Sequence, residues 1–434
     1  MSYIKRIRIR GGRVIDPSQG LDEILDICLA DKRVVALGEA PDFQADEVID
    51  ATGLVVCPGL VDLRVHLREP GQEHKGTIAS ETAAAAAGGI TTVCVPPDTV
   101  PIIDTPAVAE LIKVRANQSD KAWVLTLGAL TKGLAGEQIS EMAALQTAGC
   151  VGVSNGLRQI NNTLILRRAM EYAATFGLTV FLHPQDPWLS ASGCAHEGVI
   201  SERLGLPGIP VAAETVAVTR ALVLAEQDGI RIHFTMLSAA RSVEMLAEAQ
   251  ARGLPVTADV AIHQLHLTEL DIADFNAQCH VLPPLRSQYD RDILRVACAS
   301  GVVSAICSDH QPHEPDAKLA PFCETEPGIS GLETLLPLGL RLVHNGILDL
   351  STLISRLSWQ PSSILGQPYG TLQIGARADV CLFDLERRWT LDAARLISRG
   401  HNTPFHGWEL KGRVIHTLME GRRVFDLEDI HQPC

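Results

Sequence analysis

The 434 residues are enough for one large α/β domain and a smaller one. Hydrophobic residues make up 46% and aromatic residues only 4%, so an aliphatic core of Ala, Leu, Val, Ile and Gly is expected and global disorder is not. The formal net charge of −14 argues against a nucleic-acid or anionic-membrane binder, which needs a basic face, although a local basic pocket is compatible with it.

In chain order, Met1–Arg10 alternates like a strand rather than like a signal peptide. Ile4, Ile7 and Ile9 lead into Gly11-Gly12 and Val14-Ile15, and a second run spans Ile27 to Leu37. The far end repeats this β-rich pattern, with Gly375 to Phe383, Val414-Ile415 and Arg423-Val424. Residues 1–57 and 366–434 are therefore expected to build one small β-sandwich-like domain from both chain ends. Between them, residues 58–365 alternate strands and helices. Eight strand candidates are Leu60–Val65, Thr91–Val95, Trp123–Leu127, Val151–Val153, Thr179–Leu182, Ile230–Phe234, Val256–Val260 and Val303–Cys307. Helices are predicted at Pro106–Ala116, Leu164–Phe176, Ala213–Gln227, Ser242–Arg252 and Leu332–His344. Glycines such as Gly88, Gly177, Gly229 and Gly253 mark helix ends. Eight β/α units point to a TIM (β/α)8 barrel, with a doubly wound sheet as the alternative. The Ala run from Ala83 to Ala87 is too short to span a bilayer. The eleven cysteines form no C-x-x-C pair, which reads as reduced thiols in a cytoplasmic protein without a zinc ribbon or disulfide framework.

Barrel chemistry sits at the C-terminal strand ends. The first strand ends in D-L-R-V-H-L-R, where alternation places Asp62, Arg64, His66 and Arg68 on one side. The fifth ends in His183, the sixth carries His233 and then Met236, and the eighth leads into Asp309, His310 and His313. Each has a plain structural reading. A lone strand-end histidine is more often a hydrogen-bonded structural residue than a ligand, Asp309 can cap a turn, and Met236 alone reads as core packing. Convergence of several at one end of the barrel favours a site.

Longer motifs carry a resemblance. Pro58 to Lys75 (PGLVDLRVHLREPGQEHK) closely resembles the dihydroorotase signature. So do R-L-G-L-P-G-I-P from Arg203, S-D-H-Q-P-H from Ser308, G-I-S-G-L-E-T from Gly328 and N-T-P-F-H-G-W from Asn402. The resemblance spans essentially the whole chain and implies a TIM barrel with a small β-domain made from both ends. Active members interconvert dihydroorotate and carbamoyl-aspartate with one or two zinc ions, which activate water and polarise the scissile carbonyl.

Carried over position by position, the resemblance implies a dismantled metal cradle. The first-strand His-x-His is here Arg64 and His66, and a guanidinium has no lone pair to give a metal. The fourth-strand Asp falls at Ser154 or Asn155, neither a carboxylate. The sixth-strand H-x-x-H reads H-F-T-M, which puts the thioether of Met236 at a ligand position. His66, His183 and Asp309 remain, and two histidines and a carboxylate can in principle hold one zinc. Arg64 is expected instead to pair with Asp309, the family's proton shuttle, and take the metal's place. Arg68 and His313 match residues that hold the substrate. Pro97 or Asp98 replaces one substrate-binding Asn and Leu282 another. The segment between Glu314 and Glu326 resembles a mobile active-site loop.

Members without metal ligands resemble the companion chain of aspartate transcarbamoylase. The resemblance then implies a non-catalytic structural subunit in pyrimidine synthesis. It would have no cofactor, it would self-associate, and it would assemble with the transcarbamoylase catalytic chain in a hetero-dodecamer. The alternatives are a mononuclear zinc dihydroorotase or other cyclic-amide hydrolase, and a sensor that binds a small anion through Arg64 and Arg68.

Overall fold

The computed structural model describes residues 5–429, the side chain of Asp228 excepted. Ile4, counted in the first strand, and Cys434 lie outside the described residues. All eight expected central strands form one parallel sheet in sequential order: Leu60–Asp62, Ile90–Val95, Trp123–Ala129, Gly152–Ser154, Thr179–Leu182, Ile232–Phe234, Val256–Ala261 and Ala305–Cys307. Sequential parallel order with helical crossovers is the barrel arrangement, and it rules out the doubly wound alternative. The first and eighth strands meet through a single parallel bridge, Val65 to His310. Asp62 reinforces this seam, since its Oδ1 accepts from the backbone N–H of Arg64 and of Ser308. Inside the barrel Val61, Leu63, Cys94, Leu127, Phe181, Met236, Ala261 and Cys307 form one packed cluster, so the interior is a core and not a channel.

The crossover helices include Pro106–Ser119, Thr163–Thr175, Val211–Asp228, Ala240–Ala251 and Leu335–His344, close to the sequence expectation. The poly-alanine stretch, read only as too short to span a bilayer, forms the helix Ile78–Ala87, capped by Thr77. Ala side chains on this helix let it lie close against the barrel, and Ala84 and Ala85 are fully buried there.

Both chain ends share a second, eight-stranded sheet. The strand Val380–Thr390 pairs antiparallel with Val55–Pro58, Val380 opposite Pro58 and Phe383 opposite Val55. Ile7–Asp16 pairs in parallel with the other edge of Val55–Pro58 and antiparallel with Leu21–Ala30. Its bulge between Ile9 and Gly12 falls at Gly11, whose φ of +70° a residue with a Cβ rarely adopts.

One cysteine expectation is corrected. Cys194 and Cys323 are joined, with sulfurs 2.02 Å apart, across 129 residues of sequence. The other eight described cysteines are free and buried. The pairing was invisible to spacing because the two loops meet only over the barrel mouth. No helix among the described residues is long and apolar enough to cross a membrane.

Candidate active site

Past Asp62 the chain bends at Leu63 and pairs again at Val65, and this stretch brings Arg64 and His66 to the barrel mouth. Arg68 does not follow by alternation: its φ is +63°, so the chain has already turned there.

The expected Arg64–Asp309 pair is present. Arg64 Nε donates to Asp309 Oδ1 at 2.9 Å, with both side chains almost fully enclosed. Gln311 Nε2 donates to both Asp309 oxygens at 3.2 Å. Burial pushes the Asp309 pKa up, while Arg64, His66 and Gln311 pull it down. Burial also works against the Arg64 charge, but Asp309 and Asp98 outweigh it and the Arg64 pKa is raised. An arginine does not release its proton at any ordinary pH, so a fixed positive charge stands against Asp309.

His66 Nε2 stands 3.1 Å from Asp98 Oδ2, and its Nδ1 lies 3.3 Å from the His310 carbonyl oxygen. Both neighbours are acceptors, and a neutral ring has one N–H. That N–H belongs on Nε2, facing the closer, charged acceptor. Burial lowers the His66 pKa, Asp98 opposes it, and Arg64 and Arg68 add to it. Burial works against the Asp98 carboxylate, but His66, Arg64 and Arg68 hold its pKa well below the usual range. Asp98, rather than Pro97, thus reaches the site, and it sets a negative charge among the cations.

The other retained and lost positions are equally committed. His183 Nε2 faces Gln185 Oε1 at 2.9 Å, and burial lowers its pKa. Asn155 is held in a clamp of loop residues. Its Oδ1 accepts from Thr131 Oγ1, and its Nδ2 donates to the carbonyls of Leu134 and Arg158. Met236 is core, as its plain reading held: it is fully buried in the interior cluster, and its N–H donates to Asp259 Oδ1 at 2.7 Å. Asp259 also binds His233 Nε2 at 2.9 Å, so His233 is a satisfied core histidine. Leu282 is half-buried on a loop and offers no hydrogen bond.

Arg68 Nε donates to the Pro312 carbonyl and Nη1 to Gln72 Oε1. His313 Nδ1 lies 3.2 Å from Lys75 Nζ, and its Nε2 lies 3.1 Å from Arg68 Nη2 and 3.0 Å from the Pro327 carbonyl oxygen, so cationic donors face both ring nitrogens. Burial, with Arg68 and Lys75 alongside, pushes the His313 pKa down to about 2.

Sequence reading missed three supports. His310 donates Nε2–H to Glu81 Oε2 at 2.9 Å, and Ser398 Oγ binds the same oxygen. Asn402 accepts from the His313 N–H and donates to the carbonyls of Gln311 and Gly328. The segment from Glu314 to Glu326 is folded down: Lys318 Nζ donates to the Glu326 carbonyl, and Cys323 is tied to Cys194. The motif N-T-P-F-H-G-W from Asn402 was the available signal, but a motif does not say what its side chains touch.

Two consequences follow for chemistry. Among the described residues no three His, Cys, Asp or Glu side chains gather as a metal cradle. Each retained ligand position faces a protein partner instead, and the Arg64 guanidinium lies against the carboxylate a metal would need, so these residues do not fit a divalent ion. Space is the second limit. The cavities beside His183 and beside His66 measure about 30 and 20 Å³. A water needs about 10–15 Å³, and a cavity that takes a benzene ring is about 150 Å³. Each of these two cavities has room for a water or two and not for a six-membered ring.

Comparison with known proteins agrees with the motifs. A family profile described as Dihydro-orotase-like matches residues 53–242. A "Dihydroorotase-like protein" of Pseudomonas putida is 54% identical over 416 residues, 96% of this chain and 98% of that one. A "Dihydroorotase" of Geobacter sp. (strain M21) is 44% identical over 420 residues, 96% of this chain and 98% of that one. Among solved structures, an L-hydantoinase (dihydropyrimidinase) from Arthrobacter aurescens superposes with a TM-score of 0.87 at 26% identity, covering 97% of this chain and 96% of that one.

Proposed function

The chain belongs to the dihydroorotase-like family of the amidohydrolase superfamily, and from that premise we propose that it is a non-catalytic member that serves as a structural subunit with the aspartate transcarbamoylase catalytic chain. The observation that carries this reading is the buried Arg64–Asp309 pair, 2.9 Å across. It occupies the carboxylate that would hold a metal and move the proton. The small cavities beside His183 and His66 support it, because neither is large enough for a six-membered ring. The partner follows from the family resemblance: companion chains keep the barrel while the site decays, since function resides in the site and not in the fold. Assembly into a hetero-dodecamer, in the cytoplasm and without a cofactor, is part of the same proposal.

The second reading, a mononuclear zinc dihydroorotase or other cyclic-amide hydrolase, is favoured by the relatives that carry the name dihydroorotase and by the hydantoinase likeness. One experiment separates the two. Protein purified without chelator is assayed for zinc and for dihydroorotate hydrolysis, and is mixed with the transcarbamoylase catalytic chain on a sizing column. The proposal expects negligible zinc, no turnover and a co-eluting complex. Near-stoichiometric zinc with turnover establishes the hydrolase, and free elution of both chains removes the structural role.

A further inference from the structure

Away from the barrel mouth, the helix Leu335–His344 and the terminal sheet enclose a cavity of about 120 Å³. Its walls are apolar, with Trp389, Pro337, Leu396, Phe425 and Leu427 among them. Its polar groups are unusual for a chain of net charge −14. Arg413 and Arg395 both line it, and Arg413 lies over the Trp389 ring with its guanidinium carbon 4.7 Å from the centroid. Neither side chain makes a hydrogen bond or ion pair among the described residues. Burial lowers the Arg413 pKa, and the charges of Arg387 and Arg395 lower it further. Such crowding of unpaired cations is unfavourable by itself and is relieved by an anion.

The two carboxylates at the cavity are already engaged. Glu333 Oε1 accepts from the N–H groups of Ile397 and Ser398, and burial pushes the Glu333 pKa up to about 7. Asp392 caps the Ala394 N–H and faces His406 at 3.8 Å. Glu333 attracts Arg413 by charge without a hydrogen bond to it, so the two arginines are only partly offset.

We propose that this cavity binds a small organic carboxylate with a single ring, its carboxylate held by Arg413 and Arg395 and its ring against Trp389, Pro337 and Phe425. The volume approaches the roughly 150 Å³ that accepts a benzene ring. A guanidinium fork matches a carboxylate in two parallel hydrogen bonds, which fixes orientation as well as charge.

Calorimetric titration of the full chain with benzoate tests the site, with inorganic phosphate and benzylamine as controls. Benzoate should bind saturably and benzylamine should not. Arg395→Ala, an exposed position that leaves folding intact, and Arg413→Ala should each weaken benzoate by about tenfold, the scale of one charge-assisted pair. Glu333→Gln removes a carboxylate and should leave binding equal or tighter. Absence of saturable benzoate binding, or equal binding by wild type and Arg395→Ala, overturns the proposal. Phosphate binding as tight as benzoate overturns the ring-bearing ligand. None of these readouts depends on turnover or on the transcarbamoylase.

Discussion

At the residue scale, the central question is what Arg64 does for Asp309. A buried carboxylate without a counter-charge is strongly unfavourable, so Arg64→Ala should destabilise the fold by about 3–5 kcal/mol. Replacing both members with apolar residues, Arg64→Met with Asp309→Leu, removes the unpaired charge and should recover most of that loss. Urea unfolding of the single and double variants checks this, and a double variant as unstable as the sum of its singles would mean the two do not act as a pair. The same geometry bears on catalysis. Arg64→His with Met236→His restores two ligand residue types, yet it should yield no dihydroorotate turnover. Asn155 still supplies no carboxylate and is held in its own clamp, and Asp98 still accepts the Nε2–H of His66. Leu282 still offers no donor. Measurable hydrolysis by that variant would show that the pocket tolerates far more than its contacts suggest.

At the scale of elements, the loop after the eighth strand is pinned from a distance. Asn402 makes three buried hydrogen bonds to Gln311, His313 and Gly328, so Asn402→Ala leaves three backbone groups to find new partners. The expected loss is about 2–4 kcal/mol, with faster hydrogen exchange between residues 311 and 328 than elsewhere. Exchange that rises evenly over the chain would mean that Asn402 holds the whole molecule rather than this loop. The same contrast explains what was legible beforehand. The eight strands were readable because apolar runs and the glycines after helices are local signals, and Arg64–Asp309 was readable because both positions fall at strand ends. Asp98 over His66 was not, because an inserted residue blurs which side chain reaches inward. Glu81 with His310, Asn402 with His313 and Cys194 with Cys323 were not, because contacts between distant segments leave no periodicity in either one.

At the scale of the whole molecule, the buried histidines and carboxyls set how the fold responds to acid. Burial depresses the pKa of His196 and His280 to about 4, of His263 and His266 to about 3, and of His313 to about 2. Each is neutral in the fold at a pH where the unfolded chain, near its ordinary 6.5, has bound a proton. The unfolded state then carries more protons, so stability present above pH 6.5 is lost as the pH falls through the folded values. Asp62 and Glu333 act in the opposite sense. Burial raises both to about 7, so between the ordinary carboxyl pKa and 7 the folded state holds the protons and stability falls as the pH rises. Asp309, Asp379 and Glu269 are raised too, but the lowered histidines, which also include His66, His183 and His310, outnumber the raised carboxyls, and urea midpoints should drop from about pH 6.5 to about pH 4. Asp62→Asn removes one opposing group and should steepen that drop, because its side chain no longer takes up a proton in the fold. A midpoint that stays level or climbs toward acid would mean that the histidines gain protons inside the folded barrel, and that the polar groups around them are open to solvent.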